Sequence, residues 1–144
     1  MCQKVERGNK KTMKNKLELL ASYIKVNVAP LLVDFIDGKS IPDSVILPAN
    51  CEITELNGHY DNTKFDSPEW LKKLENANTP TILVIDKIDS IPKDEQKKFV
   101  EILKYRKVST FEIPKNTVIV VTAKEINENT INEEIYSLVA HIKG

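Results

Sequence analysis

Arginine is scarce in this chain: of 21 basic residues only Arg7 and Arg106 are arginine, and the rest are lysine. Chemistry that depends on planar, bidentate guanidinium contacts to phosphate has little to draw on. An excess of charge of one sign is also lacking, because 21 Asp and Glu balance the basic residues. That balance removes the uniform positive field of a duplex-DNA binder and the negative excess of an acidic tail protein. Cysteine is limited to Cys2 and Cys51, with no C-x-x-C spacing, so neither a disulfide framework nor a cysteine zinc site is encoded. No apolar run approaches the ~18 residues of a membrane span. The polar first 16 residues lack the hydrophobic stretch of a signal peptide. A cytoplasmic chain with no membrane partner is expected. No serine sits in a G-x-S-x-G setting, which leaves nucleophilic hydrolysis without a motif.

What is present is a globular balance. The 144 residues are 41% hydrophobic and 29% charged, the length and composition of one folded domain. Residues 1–12 read as a basic N-terminal tail or a degenerate phosphate loop, and 13–144 as a single α/β domain. From Met13 to Val28 the apolar residues Leu17, Leu19, Leu20, Ile24 and Val28 recur mostly at three- and four-residue spacing, as one buried helix face requires. Pro30 to Ile36 is a short helix or a strand, ended by Asp37-Gly38, where glycine can take positive φ. Val45-Ile46-Leu47, bracketed by prolines, is too short for a helix. Cys51 to Leu56 alternates like a half-buried strand. Ser67 is placed as the N-cap of a helix with Pro68 at its first position, running to about Asn76.

Thr81-Ile82-Leu83-Val84-Ile85 and Thr117-Val118-Ile119-Val120-Val121 are nearly uninterrupted apolar, β-branched runs, the signature of strands covered on both faces of a parallel sheet. Between them Pro92-Lys93-Asp94-Glu95 opens a helix to about Tyr105, and Lys107 to Ile113 alternates like an edge hairpin. Asn132 to Ile142 is helix-like. Strands alternating with helices predict an α/β fold with three layers and a mostly parallel central sheet.

Asp86 closes the first of these buried strands. In open α/β sheets ligands collect at the carboxyl ends of strands, so an acidic residue there can hold a metal ion or a water. By spacing alone it serves equally as the cap of the next turn. The stretch ILVIDKID, the helix KDEQKKFVEILK, the turn YRKVSTFEIP and the strand NTVIVVTA resemble the Walker B to sensor 1 half of AAA+ ATPases, especially the MoxR-like and clamp-loader-like branches. Leu103, Arg106, Val108 and Pro114 fall where similar ATPases place a helix end, Arg, Val and Pro. The resemblance implies a P-loop NTPase-like fold, with Asp86 as the metal-binding acid.

Departures from that pattern are equally specific. The glutamate that would follow Asp86 and orient the attacking water is Lys87, a cation at neutral pH. Asp89, in strand-like geometry, would point with Lys87 and away from Asp86. The sensor asparagine position is Lys124, with Thr122 as a partial replacement. His141 stands where an arginine finger is expected. A phosphate cradle requires G-x-x-x-x-G-K-[ST], and no such string exists. The nearest match is Arg7-Gly8-Asn9-Lys10-Lys11-Thr12, in which Gly8, Lys11 and Thr12 fit the family's loop, unless the segment is simply a basic tail. If Met13 to Val28 is the family's first helix, the next strand is Pro30 to Ile36 or Cys51 to Leu56, and the second alternates more cleanly.

Other candidates carry less. His59 and His141, with Cys51 and Asp61, have no metal-ligand spacing. Trp70, Phe65 and Tyr60 form either a stacking platform for single strands or a piece of core. Lys14 and Lys16 offer phosphate contacts or a solvated terminus. The expected function is a catalytically degenerate AAA+-like domain that binds or regulates a protein partner, such as an AAA+ assembly or further copies of itself. In a second reading it is a divergent NTPase in which Gly8, Lys11, Thr12, Asp86 and Thr122 hold ATP and Mg2+. In a third it is an unrelated α/β binding module.

Overall fold

The computed structural model describes residues 15–22, 24, 30–61, 64–76 and 81–142. Their elements in chain order are helix α1 over residues 15–22, strands β1 (Leu31–Val33) and β2 (Ser44–Pro48), helix α2 (Ile53–Asn57), and the β3 (His59–Asp61) and β4 (Lys64–Asp66) pair. Helix α3 (Glu69–Glu75), strand β5 (Thr81–Asp86) and helix α4 (Val100–Tyr105) follow, then a hairpin of β6 (Lys107–Val108) and β7 (Phe111–Glu112). Strand β8 (Thr117–Thr122), helix α5 (Glu133–Leu138) and strand β9 (Ala140–Ile142) complete the series.

Five strands form the central sheet in the order β2-β5-β8-β1-β9, and every pairing in it is parallel. The apolar runs of β5 and β8 sit side by side, with Leu83 opposite Ile119 and Val84 opposite Val120. Successive side chains on each strand enter opposite layers. Leu83, Ile85, Ile119 and Val121 pack with Trp70 and Leu71 of α3, Ile102 and Leu103 of α4, Phe99 just before it, and Ile135 of α5. On the other face Leu31, Val33, Val84 and Val120 pack with Leu20 of α1 and with Phe35, Ile36 and Ile41. The chain is therefore an α/β fold with helices on both faces of a parallel sheet. Among the described residues no helix is long and apolar enough to cross a membrane.

Several elements differ from the sequence expectation. Cys51 to Leu56 is not a strand: residues 53–57 form α2, started by a reciprocal cap in which the Glu52 amide donates to the Glu55 carboxylate. The alternation fails physically because only Cys51 and Leu56 are buried, while Ile53 is 55% exposed. Of the two expected alternatives for the strand after the first helix, Pro30 to Ile36 supplies it, as β1, and the favoured Cys51 to Leu56 does not; the following strand is β2, built on the short Val45-Ile46-Leu47 run. Strand β1, within Pro30 to Ile36, joins the sheet centre. The expected final helix stops at Leu138, because Val139 is extended and the Ala140 amide donates to the Pro30 carbonyl, which starts β9 alongside β1. The N-cap of α3 is Pro68, one residue beyond Ser67. The helix expected from Pro92 is a 3-10 turn over Glu95–Phe99 that continues as α4.

Gln96 anchors the segments between β5 and α5. It is fully buried, with Nε2 at 3.1, 3.3 and 2.7 Å from the carbonyls of Ile88, Ile91 and Thr130. Its Oε1 accepts the Asn132 amide at 2.8 Å, and Asn132 in turn caps α5. Removing such a group strands several buried polar atoms at once, so Gln96→Ala is expected to cost about 3 kcal/mol. Gln96→Glu, which aims a carboxylate at carbonyl oxygens, should cost more. Urea unfolding of both variants against wild type checks the order.

Candidate functional site

Because all five strands run parallel, their carboxyl ends share one edge of the sheet. Adjacent strands β8 and β1 send their connections in opposite directions, toward β9 and β2 respectively. Such a switch point opens a crevice between the outgoing loops. Here the loops after β1, β5 and β8 border a groove of about 640 Å³.

Asp86 lies beneath this groove as the last residue of β5 and is 8% exposed. Its Oδ1 accepts the Gly38 amide at 2.9 Å and the Thr122 hydroxyl at 2.7 Å. Thr122 Oγ1 accepts the Lys87 amide at 2.9 Å. Asp86 and Thr122, both expected at a site, are thus brought together, in direct contact with the loop after β1. Gly8, Lys11 and Thr12, and with them the tail or phosphate loop expected over residues 1–12, lie outside the described residues. Lys16 does not belong to a tail, since it lies on α1 and lines the groove.

Strand geometry ends at Asp86. Lys87 takes the left-handed conformation (φ 59°, ψ 53°), which is uncommon for a residue with a Cβ and concentrates at functional sites. Asp89 accordingly does not follow Lys87 as strand alternation predicts. It turns to accept the amides of Lys124 and Glu125 at 3.1 and 3.0 Å. Lys124 is exposed at the groove.

Arg106 and His141 do not line the groove. Arg106 donates to the carbonyls of Pro114 and Thr117 at 2.9 and 2.7 Å, at the amino end of β8 and so at the opposite edge of the sheet. Burial lowers its guanidinium pKa from the usual value. His141 stands in β9, opposite Leu32, with Nδ1 at 2.9 Å from the Tyr136 hydroxyl. Trp70 is core: it is buried and donates Nε1–H to the Leu56 carbonyl at 3.0 Å. Among the described residues no group of three or more His, Cys, Asp or Glu is placed to hold a metal ion.

Sequence reasoning missed Gly38-Lys39-Ser40. These residues lie in the loop after β1, with Ser40 at the groove, and have the identities that end a phosphate-loop string, but Val33 replaces its first glycine. The available signal was a G-K-S five residues after a short apolar run. Here the three residues form a single 3-10 turn capped by Asp37, whose Oδ1 accepts the Ser40 amide at 3.1 Å and the Ser40 hydroxyl at 3.0 Å. Space at position 38 is tight: an added Cβ would stand 2.9 Å from Asp86 Oδ1 and 3.1 Å from Val84 Cγ1, so the carboxylate would have to shift.

No family model and no curated protein matches the chain.

Asp86→Ala removes the shared acceptor from a buried amide and a buried hydroxyl and should cost about 3 kcal/mol or more, at about 1.5–3 kcal/mol for each bond. Asp86→Asn keeps one acceptor oxygen and should cost less. Gly38→Ala crowds the carboxylate, so its cost should fall by about 1 kcal/mol when Asp86 is already alanine. A double-mutant cycle by chemical unfolding reads this coupling, and strict additivity would show that the two residues do not constrain each other.

Proposed function

We propose that this chain is a catalytically degenerate AAA+-like domain that acts as a binding or regulatory module and docks on a protein partner. The observation that carries this is the pair of hydrogen bonds to Asp86 Oδ1 from the Gly38 amide and the Thr122 hydroxyl. A phosphate loop binds by turning free backbone amides toward the ligand. In this chain the glycine amide of the G-K-S turn is occupied by the domain's own carboxylate. The residues present do not fit ATP and Mg2+: the turn does not extend into a helix, the metal-binding acid is engaged from two sides, and Lys87 stands where a carboxylate would orient water.

Strand adjacency supports the AAA+ part of the proposal. In that family the acidic strand lies beside the sensor strand with the phosphate-loop strand adjoining, and here β5 lies beside β8 with β1 adjoining. The worn phosphate loop is then the segment after β1 rather than residues 7–12. The same meeting of Gly38-Lys39-Ser40 with Asp86 favours the second reading, a divergent NTPase, and nucleotide titration separates the two. A ligand that binds only the native state at a hundred times its Kd stabilises it by about 2.7 kcal/mol. The degenerate module is expected to show no rise in Tm with millimolar ATP and Mg2+. A rise that Asp86→Asn and Lys39→Ala both abolish would show a working nucleotide site and favour the NTPase reading instead.

A further inference from the structure

Strand β2 ends the central sheet, with β5 on one side of it and no described strand on the other. Which of its backbone groups face outward follows from parity. The Ala49 amide donates to the Asp86 carbonyl across the strand pair, and along a parallel ladder the amide and carbonyl turn to the same neighbour at every second residue. Val45 and Leu47 therefore bond toward β5, while the amides and carbonyls of Ser44 and Ile46 point away from it. Pro48 has no amide, and its carbonyl accepts the Cys51 amide at 3.1 Å. Lysines, inward-pointing charges or bulges usually keep such an edge from pairing. Ser44–Pro48 holds no charged residue, and its proline stands only at the last position. Ile46 is 39% exposed, and among the exposed large apolar side chains of the described residues it is the one that stands on a strand. It faces the layer of Val84, its partner in register, without joining the cluster packed there. On the other face a groove of about 600 Å³ between β2 and the start of α3 leaves the edge accessible.

We infer that β2 pairs with β2 of a second copy of this chain, antiparallel about a two-fold axis at Ile46, which joins two five-stranded sheets into one. In a hydrogen-bonded antiparallel pair, opposed residues exchange both bonds. At the axis Ile46 faces its own counterpart, so the middle residue of the strand supplies the donor and the acceptor that the other copy needs. Two residues out, the Ser44 amide meets a Pro48 carbonyl, and Pro48 leaves the Ser44 carbonyl to water at the strand end. The exposed Ile46 side chains then lie side by side on one face and cover each other, a favourable cross-strand pair. Charge also points to a second copy. A two-fold brings the charges of one strand against their like, and an uncharged strand escapes that repulsion. Such a contact uses the same patch on both copies and closes at the dimer. The other edge, β9, is three residues long and carries His141, and pairing it with β2 would run head to tail without closing. The pairing does not depend on the state of the Asp86 site.

The test is sedimentation velocity of the full chain across micromolar to millimolar concentrations, with hydrogen exchange at the β2 amides over the same range. A reversible monomer–dimer equilibrium that grows no further is expected. Protection of the Ile46 amide should rise with concentration, while the Val45 and Leu47 amides, bonded toward β5, stay protected throughout. Ile46→Lys should weaken the dimer by about tenfold or more, and Tyr105→Lys, at an exposed site on α4, by less than about twofold. Isotope-filtered NOEs between the Ile46 methyl groups of labelled and unlabelled wild-type copies are expected as well, and they do not rely on the folding of any variant. A monomer at every concentration, growth past the dimer, an Ile46 amide whose exchange ignores concentration, or equal loss in both variants would each overturn the inference while leaving the degenerate-module function standing. Failure of that function shows instead as a Tm raised by ATP and Mg2+, with the dimer unchanged.

Discussion

The Asp86 carboxylate ties the three central strands together at their carboxyl ends. It belongs to β5, takes a hydrogen from Thr122 at the end of β8, and takes another from Gly38 in the loop that leaves β1. Charge-assisted bonds of this kind contribute about 1.5–3 kcal/mol each when buried. They also fix a conformation. With its glycine amide held against Asp86, the loop after β1 closes into a 3-10 turn that Asp37 caps, and the space above becomes a groove bordered by side chains instead of a cradle of backbone amides. The contact that stabilises the sheet edge thereby decides what kind of ligand that edge can accept.

The rest of the polar interior follows the same logic of buried side chains serving backbone groups. Gln96 satisfies carbonyls on both sides of the segment that joins β5 to α4 and holds the start of α5 through Asn132. Arg106, one of two arginines, braces the amino end of β8 through the carbonyls of Pro114 and Thr117. In a chain so poor in arginine this commitment is informative. The Arg106 guanidinium is a structural brace, on the opposite edge of the sheet from Asp86.

The layered fold was legible in the sequence because strands β5 and β8 are nearly uninterrupted apolar, β-branched runs. Thr81–Ile85 and Thr117–Val121 each enter both cores, and no other local structure hides so many β-branched residues in so short a run. The shorter edge strands were not legible. Val45–Leu47 is bracketed by prolines, and Ala140–Ile142 follows a helix without a break in apolar pattern; both become strands only through pairing with a central neighbour. Cys51–Leu56 shows the converse, where a reciprocal glutamate cap outweighed an alternation with too little to bury. At the site, Asp86 and Thr122 were recognisable as strand-ending polar residues. The partner of Asp86 was not, since nothing local to Gly38 signals that its amide donates to a carboxylate 48 positions away. The same holds for Asp89, whose bonds to Lys124 and Glu125 appear only once the left-handed turn at Lys87 is known.

Hydrogen exchange at the Gly38 amide tests the central claim most directly, because that one proton records whether Asp86 occupies the loop. The account predicts that it is strongly protected in the free protein, that Asp86→Ala removes the protection, and that ATP with Mg2+ changes neither its exchange rate nor its chemical shift. A Gly38 amide that exchanges freely without nucleotide and becomes protected when ATP and Mg2+ are added would contradict the account, since the loop would then be open to phosphate and the domain a nucleotide-binding one.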